Sequence, residues 1–203
     1  MPKITFFNLP DDKKETLIQA AKTEFSRVPL FEASISNIIK SAGIPRGSFY
    51  QYFEDKEDLF FLLLSEFAKE KKDDFLASLE KNNGQLFETF IEFFDLLIKE
   101  EENVSFLRNA LLNMTHKIES TFERMISGHD NNEKMKDFSH FGSLLDVNCL
   151  NVSNEKELYH ALQIITAVTF RNLIQTFAEE LPYEEAIGNY KMEMNLLRNG
   201  LFR

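Results

Sequence analysis

Apolar residues recur along the chain at spacings of three and four, and the strict alternation that a half-buried strand needs is nearly absent. The pattern predicts an all-α protein. The first amphipathic stretch carries Leu17, Ile18, Ala21, Phe25 and Val28 on one face, with Asp12-x-x-Glu15 reading as a capping box at its start and Pro29 as its end. A short second helix follows, with Ser34 as its cap, Ile35, Ile38 and Ile39 on its apolar side, and Ala42-Gly43 as its stop. Pro45 suits the first turn of a third helix ending near Tyr52, and Asp55, with Asp58 three residues on, opens a longer fourth.

Breaks are expected at Lys81-Asn82-Asn83-Gly84, from Glu100 to Ser105, from Ser127 to Asp137, from Asn148 to Asn154 and at Leu181-Pro182. They bring the total to about nine to ten helices. Residues 155–180 are apolar on nearly every side, so that helix must be covered all round by its own domain or by a partner subunit. The final segment has one defined stripe of Ile187, Tyr190, Met194, Leu197 and Leu201.

Composition narrows the class. With 203 residues, 43% of them hydrophobic and 28% charged, the chain has the make-up of a soluble, well-packed globule. Apolar runs such as the one from Leu59 to Leu64 fall short of the roughly 18 residues a membrane span needs, and the start has no apolar signal core, so a cytoplasmic protein is expected. The single cysteine, Cys149, fits a reducing compartment. A net charge of −10 argues at first against nucleic acid. Its distribution reverses that argument: residues 1–60 carry 8 Lys plus Arg against 9 Asp plus Glu, while the remaining 143 carry 15 against 24. A near-neutral head stands on an acidic body.

Two short helices joined by a glycine turn and braced by a longer one are the parts of a helix-turn-helix. On the third helix Arg46, Gly47, Tyr50 and Gln51 share one arc, opposite Phe49 and Tyr52. Gly47 weakens the helix, which suggests that something must approach its backbone closely. The Arg46 fork matches guanine O6 and N7 and is the expected base reader. Ser48 and Tyr50 offer hydroxyls, Tyr52 is counted with them among the DNA-binding residues, and Ser34 and Lys56 stand at helix N-termini that favour phosphate. The N-terminal arm offers only Lys3 beside Phe6 and Phe7, so no reading of the minor groove is expected from it.

The run from Ser34 to Leu59 resembles the DNA-binding signature of the tetracycline-repressor (TetR) family. Ile38, Ala42-Gly43, Gly47-Ser48-Phe49-Tyr50, Tyr52-Phe53 and Lys56-Glu57 through Leu59 fall in order without a gap. The resemblance implies DNA contacts at Arg46, Ser48, Tyr50 and Lys56 and a phosphate contact at Ser34. Pro45 departs from the small hydroxyl residue common there, so no side-chain bond is carried over to it. It further implies a DNA-binding domain over residues 1–54 and an effector-binding and dimerisation domain over residues 55–203. The expected function is a ligand-responsive repressor that binds a pseudo-palindromic double-stranded operator as a homodimer.

The 21 phenylalanines and the absence of tryptophan leave two readings of the body: a packed aromatic core, or an apolar pocket for a hydrophobic or aromatic effector such as a lipid-like molecule, a planar drug or a porphyrin. Phe90, Phe94, Leu111, Met114, Phe122 and Phe170 are the candidate pocket residues. Leu162, Ile165, Phe177, Tyr190, Met194 and Leu197 are the candidate dimer interface. A competing class is a metal-carboxylate bundle, since Glu157-x-x-His160 has the spacing of a helical metal pair and His116-x-x-Glu119 and Asp137-x-x-His140 echo it. A constitutive DNA-organising protein without effector would share the same head. The chain has no nucleophile elbow and no glycine-rich phosphate loop, so neither an enzyme nor a cofactor is expected.

Overall fold

A computed structural model describes residues 2–99, 101–113, 115–118, 120, 142–147 and 150–201, and its elements are helical. After a one-turn helix α1 (Ile4–Phe7), α2 (Asp11–Arg27) starts two residues earlier than the capping-box reading placed it. Pro10 occupies the cap position, and its carbonyl accepts from the Lys13 and Lys14 N–H groups at 3.0 Å. No side chain caps this end; Asp11 and Asp12 instead complement the helix dipole.

Helix α3 (Ile35–Ala42) has Ser34 at its cap position, as the sequence predicts, but the hydroxyl makes no capping bond. It stops at Gly43, whose φ of +66° only glycine adopts at no steric cost, and the Ile44 N–H closes back onto Ile39 O at 3.1 Å. Pro45 then sets the entry to α4 (Arg46–Tyr52). Helix α5 (Lys56–Lys81) opens on reciprocal bonds: the Asp58 N–H donates to Asp55 Oδ1 at 2.8 Å, and the Glu54 N–H donates to Asp58 Oδ2 at 3.2 Å. The turn beyond it needs glycine twice over. Gly84 has a φ of +77°, and a Cβ there would lie 2.6 Å from Asp146 N and Leu144 O.

Helix α6 (Leu86–Lys99) buries Leu86, Phe87, Phe90, Phe93, Phe94 and Leu97 along one stripe. Helix α7 (Glu101–Leu112) begins at Glu101, so the break expected through Ser105 is far shorter. Helix α8 (Glu155–Ala178) and helix α9 (Tyr183–Leu201) complete the order. No helix among the described residues is long and apolar enough to cross a membrane.

The chain forms two compact units, and none of the three boundaries between them falls at residues 54 and 55. Residues 1–68 and 101–121 make the first, and residues 69–100 and 122–203 the second. The start of α5 and all of α7 therefore pack with the helix-turn-helix, because the side chains that cover α2 sit on them: Phe60 meets Phe25 at 5.2 Å, and Phe106 meets Phe60 at 5.5 Å. In the second unit Phe75 meets Phe90 at 5.0 Å and Phe93 at 5.2 Å, while Phe94 stacks on Tyr190 at 4.1 Å.

The second unit corrects the expected dimer surface. Leu162, Ile165, Phe177, Tyr190 and Met194 are buried inside it, at 0–7% exposure, and Leu197 is half-buried. They fill the core of their own chain because α8, α9 and α6 cover one another. Among the described residues, the exposed large apolar side chains on the last two helices are Ile164, Tyr183, Met192 and Leu196.

Candidate nucleic-acid interface

The local sequence sorts α4 into two faces. Phe49 is fully buried, its ring 5.5 Å from that of Phe53, whereas Arg46, Gly47, Tyr50 and Gln51 are exposed and Ser48 and Tyr52 are half-buried. Arg46 lies along Tyr50 one turn later, with its guanidinium 5.9 Å from the ring centroid and Nη2 3.4 Å from the hydroxyl. Among the described residues a Cβ on Gly47 would meet nothing within 4 Å beyond its own helix and chain neighbours, so their packing does not require glycine at this exposed position. The arrangement presents a planar cation, hydroxyls and bare backbone on one side of a short helix, which suits a base edge and a phosphodiester.

The helix-turn-helix is held by side-chain bonds that the sequence patterns did not single out. Glu24, 5% exposed, accepts from Arg27 Nε at 3.0 Å and Nη2 at 2.9 Å, from the Ser34 backbone N–H at 2.8 Å and from Asn37 Nδ2 at 3.1 Å. The bonds from Arg27, Ser34 and Asn37 together hold its carboxyl below the usual glutamate range against the opposing effect of burial. Its position one heptad after Leu17, within the apolar stripe of α2, was the available signal: a carboxylate there must find partners inside. Asn109 on α7 donates to the Phe25 and Ser26 carbonyls at 2.9 and 3.0 Å, closing the end of α2. In the arm, Lys3 and Thr5 donate to carbonyls of α4, and Phe6 is buried 5.0 Å from the Phe53 ring.

The two expected phosphate contacts both make bonds within their own unit. Lys56 donates to Phe31 O at 2.9 Å and Ala33 O at 3.0 Å, so its ammonium braces the loop before α3. Ser34 is half-buried and its N–H is bonded to Glu24.

Of the candidate pocket residues, Phe90 and Phe94 are buried in the second unit and Leu111 in the first, Phe170 is half-buried, and Met114 and Phe122 lie outside the described residues. The metal reading loses its best ligand. Glu157 completes a capping box on α8: its N–H donates to Asn154 Oδ1 at 3.0 Å and its Oε2 accepts from the Ser153 N–H at 2.7 Å. His160 is exposed beside Gln163, and among the described residues no group of three or more His, Cys, Asp or Glu side chains could hold a metal ion. Glu119, His129, Asp137, His140 and Cys149 lie outside the described residues.

Comparison with known proteins fits this geometry. Residues 85–201 match the family described as "Tetracyclin repressor-like, C-terminal domain", and residues 17–63 match "Bacterial regulatory proteins, tetR family". The chain is 39% identical over 56 residues to the uncharacterized HTH-type transcriptional regulator YdgC of Bacillus subtilis (strain 168), covering 28% of this chain and 29% of that one. It is 34% identical over 80 residues to the HTH-type transcriptional regulator BetI of Vibrio atlanticus (strain LGP32), covering 39% of this chain and 38% of that one. The chain thus spans well under half the length of these curated relatives. Across nearly the whole chain it is similar in fold to SmeT, the repressor of the Stenotrophomonas maltophilia multidrug efflux pump SmeDEF, with a TM-score of 0.67, 14% identity, and coverage of 95% of this chain and 93% of that one.

Proposed function

Since the chain belongs to the TetR family of bacterial regulatory proteins, we propose that it is a cytoplasmic repressor that binds a pseudo-palindromic DNA operator as a homodimer and is released by a hydrophobic or aromatic small molecule. The exposed face of α4 carries this reading: Arg46 reads a guanine edge, Tyr50 and Ser48 bond to phosphate or base, and Gly47 lets the sugar-phosphate backbone come close. Two such helices about one helical turn of DNA apart match a two-fold site.

The pairing surface lies on the outer faces of α8 and α9. Ile164, Met192 and Leu196 are 47%, 63% and 68% exposed, and Met192 and Leu196 stand in one row with the exposed Gly188 and Gly200. A second copy covers this row. An effector releases the dimer from DNA only if it binds the two states with different affinity, so operator and effector must weaken each other reciprocally.

The test is selection of bound fragments from the source genome by the purified protein, repeated with Arg46→Ala and over a salt series. Recovery of a two-fold site, with Arg46→Ala losing about ten- to a hundredfold in affinity for it, supports the reading. Equal selection by both proteins would remove Arg46 as the reader, and recovery of fragments with no shared site would favour a DNA-organising role.

A further inference from the structure

Helix α4 has only seven residues, and its last four carbonyls have no acceptor role inside the helix. One of them, Phe49 O, accepts from the Phe53 N–H at 2.9 Å. The other three are all met by the N-terminal arm: Tyr50 O accepts from Lys3 Nζ at 2.8 Å, Gln51 O from the Thr5 hydroxyl, and Tyr52 O from the Lys3 backbone N–H at 2.8 Å. The arm is itself fixed, since Phe6 is 4% exposed with its ring 5.0 Å from Phe53. Lys3 also brings a cation to the negative end of the helix dipole.

The residues whose carbonyls are held are also residues of the reading face: Tyr50 and Gln51 are exposed on the arc that carries Arg46 and Gly47. A seven-residue helix is too short to keep its last turn closed by its own bonds. We infer that Lys3 and Thr5 are positioning residues for DNA reading, closing the last turn of α4 and so fixing the angle at which Tyr50 and Gln51 meet the operator. The arm contributes to recognition through the helix and not through the minor groove. This inference rests on the reading of α4 as the DNA-contacting helix.

The test uses the full chain with Thr5→Val, Thr5→Ser and Lys3→Met. The probes are the fragment recovered by genomic selection and a random-sequence duplex of the same length. Thr5→Val removes one donor and no charge. It is expected to lower affinity for the recovered fragment about three- to tenfold, to leave the random duplex unchanged, and to be rescued by Thr5→Ser. Lys3→Met is expected to lower the same affinity with an unchanged salt slope. A slope flattened by about one would make Lys3 a phosphate contact and overturn its positioning role. Amide exchange reads the clasp without DNA: the Gln51, Tyr52 and Phe53 amides should exchange about tenfold faster in Thr5→Val at an unchanged melting temperature. Equal exchange, or wild-type affinity in Thr5→Val, would overturn the inference. If the wild-type chain selects no site, the family-based reading fails separately and the exchange result still decides whether the arm holds the helix.

Discussion

In the N-terminal unit, helix ends are held by side chains from distant parts of the chain: Glu24 at the start of α3, Asn109 at the end of α2, Lys56 in the loop between them, and Lys3 and Thr5 at the end of α4. In the C-terminal unit the start of α8 is closed locally by Asn154 and Glu157, and the long-range bonds run from side chain to side chain, Thr169 with Tyr190, Asn172 with Glu193 and Tyr183 with Asp95, beside ring contacts. Ion pairs such as Arg198 with Glu88 and Arg171 with Glu193 are partly exposed and contribute little. Length accounts for the contrast. Helices of 8 and 7 residues cannot hold an angle by packing area alone and need directional bonds, whereas helices of 24 and 19 residues can.

The largest expected effect falls on the packed unit. Phe94 is fully buried and stacked on Tyr190, so Phe94→Ala should cost about 3–5 kcal/mol in denaturant unfolding. Hydrogen exchange should show the loss in α6 and α9. If α2 to α4 lose protection in step, the two units unfold as one and the contrast between them is one of chemistry only.

The polar unit should fail by titration instead. Glu24→Gln keeps the shape but turns an NH₂ toward Arg27 and Asn37, and should cost about 1–3 kcal/mol at neutral pH. In the wild type the folded-state pKa of Glu24 is depressed, chiefly by Arg27. Its contribution is therefore fully present above the ordinary glutamate pKa and lost as pH falls below about 5 toward the folded value. A wild-type stability curve in acid no steeper than that of Glu24→Gln would show that the carboxylate charge is not what holds α3.

The elements and the reading face were legible because their signals are local. Gly43 stops α3, Asp55 caps α5, and Arg46, Gly47 and Tyr50 declare a polar arc by spacing alone. What holds that arc was not, because each holding bond joins residues far apart in sequence: Lys3 and Tyr50, Glu24 and Ser34, Asn109 and Phe25. Periodicity reports that a side chain faces inward and not what it meets there. For the same reason Tyr190 and Met194 read as a stripe awaiting a second subunit, when α6 of the same chain supplies the cover. Glu157 read as a metal ligand through a short spacing that also fits a cap.

The smallest change sharpens the contrast most, because it separates what the fold wants from what the interface wants. Among the described residues, nothing beyond its own helix and chain neighbours lies within 4 Å of a Cβ at Gly47, and the residue sits inside α4. Gly47→Ala should therefore stabilise the N-terminal unit by about 0.5–1 kcal/mol through helix propensity, read as a small rise in melting temperature. The same methyl group would stand where the sugar-phosphate backbone approaches, so affinity for the selected operator should fall while the fold improves. Opposite signs in the two measurements place the reason for this glycine outside the chain. If binding and stability rose together, no close approach would occur at Gly47 and the reading face would have to be redrawn around Arg46 and Tyr50 alone.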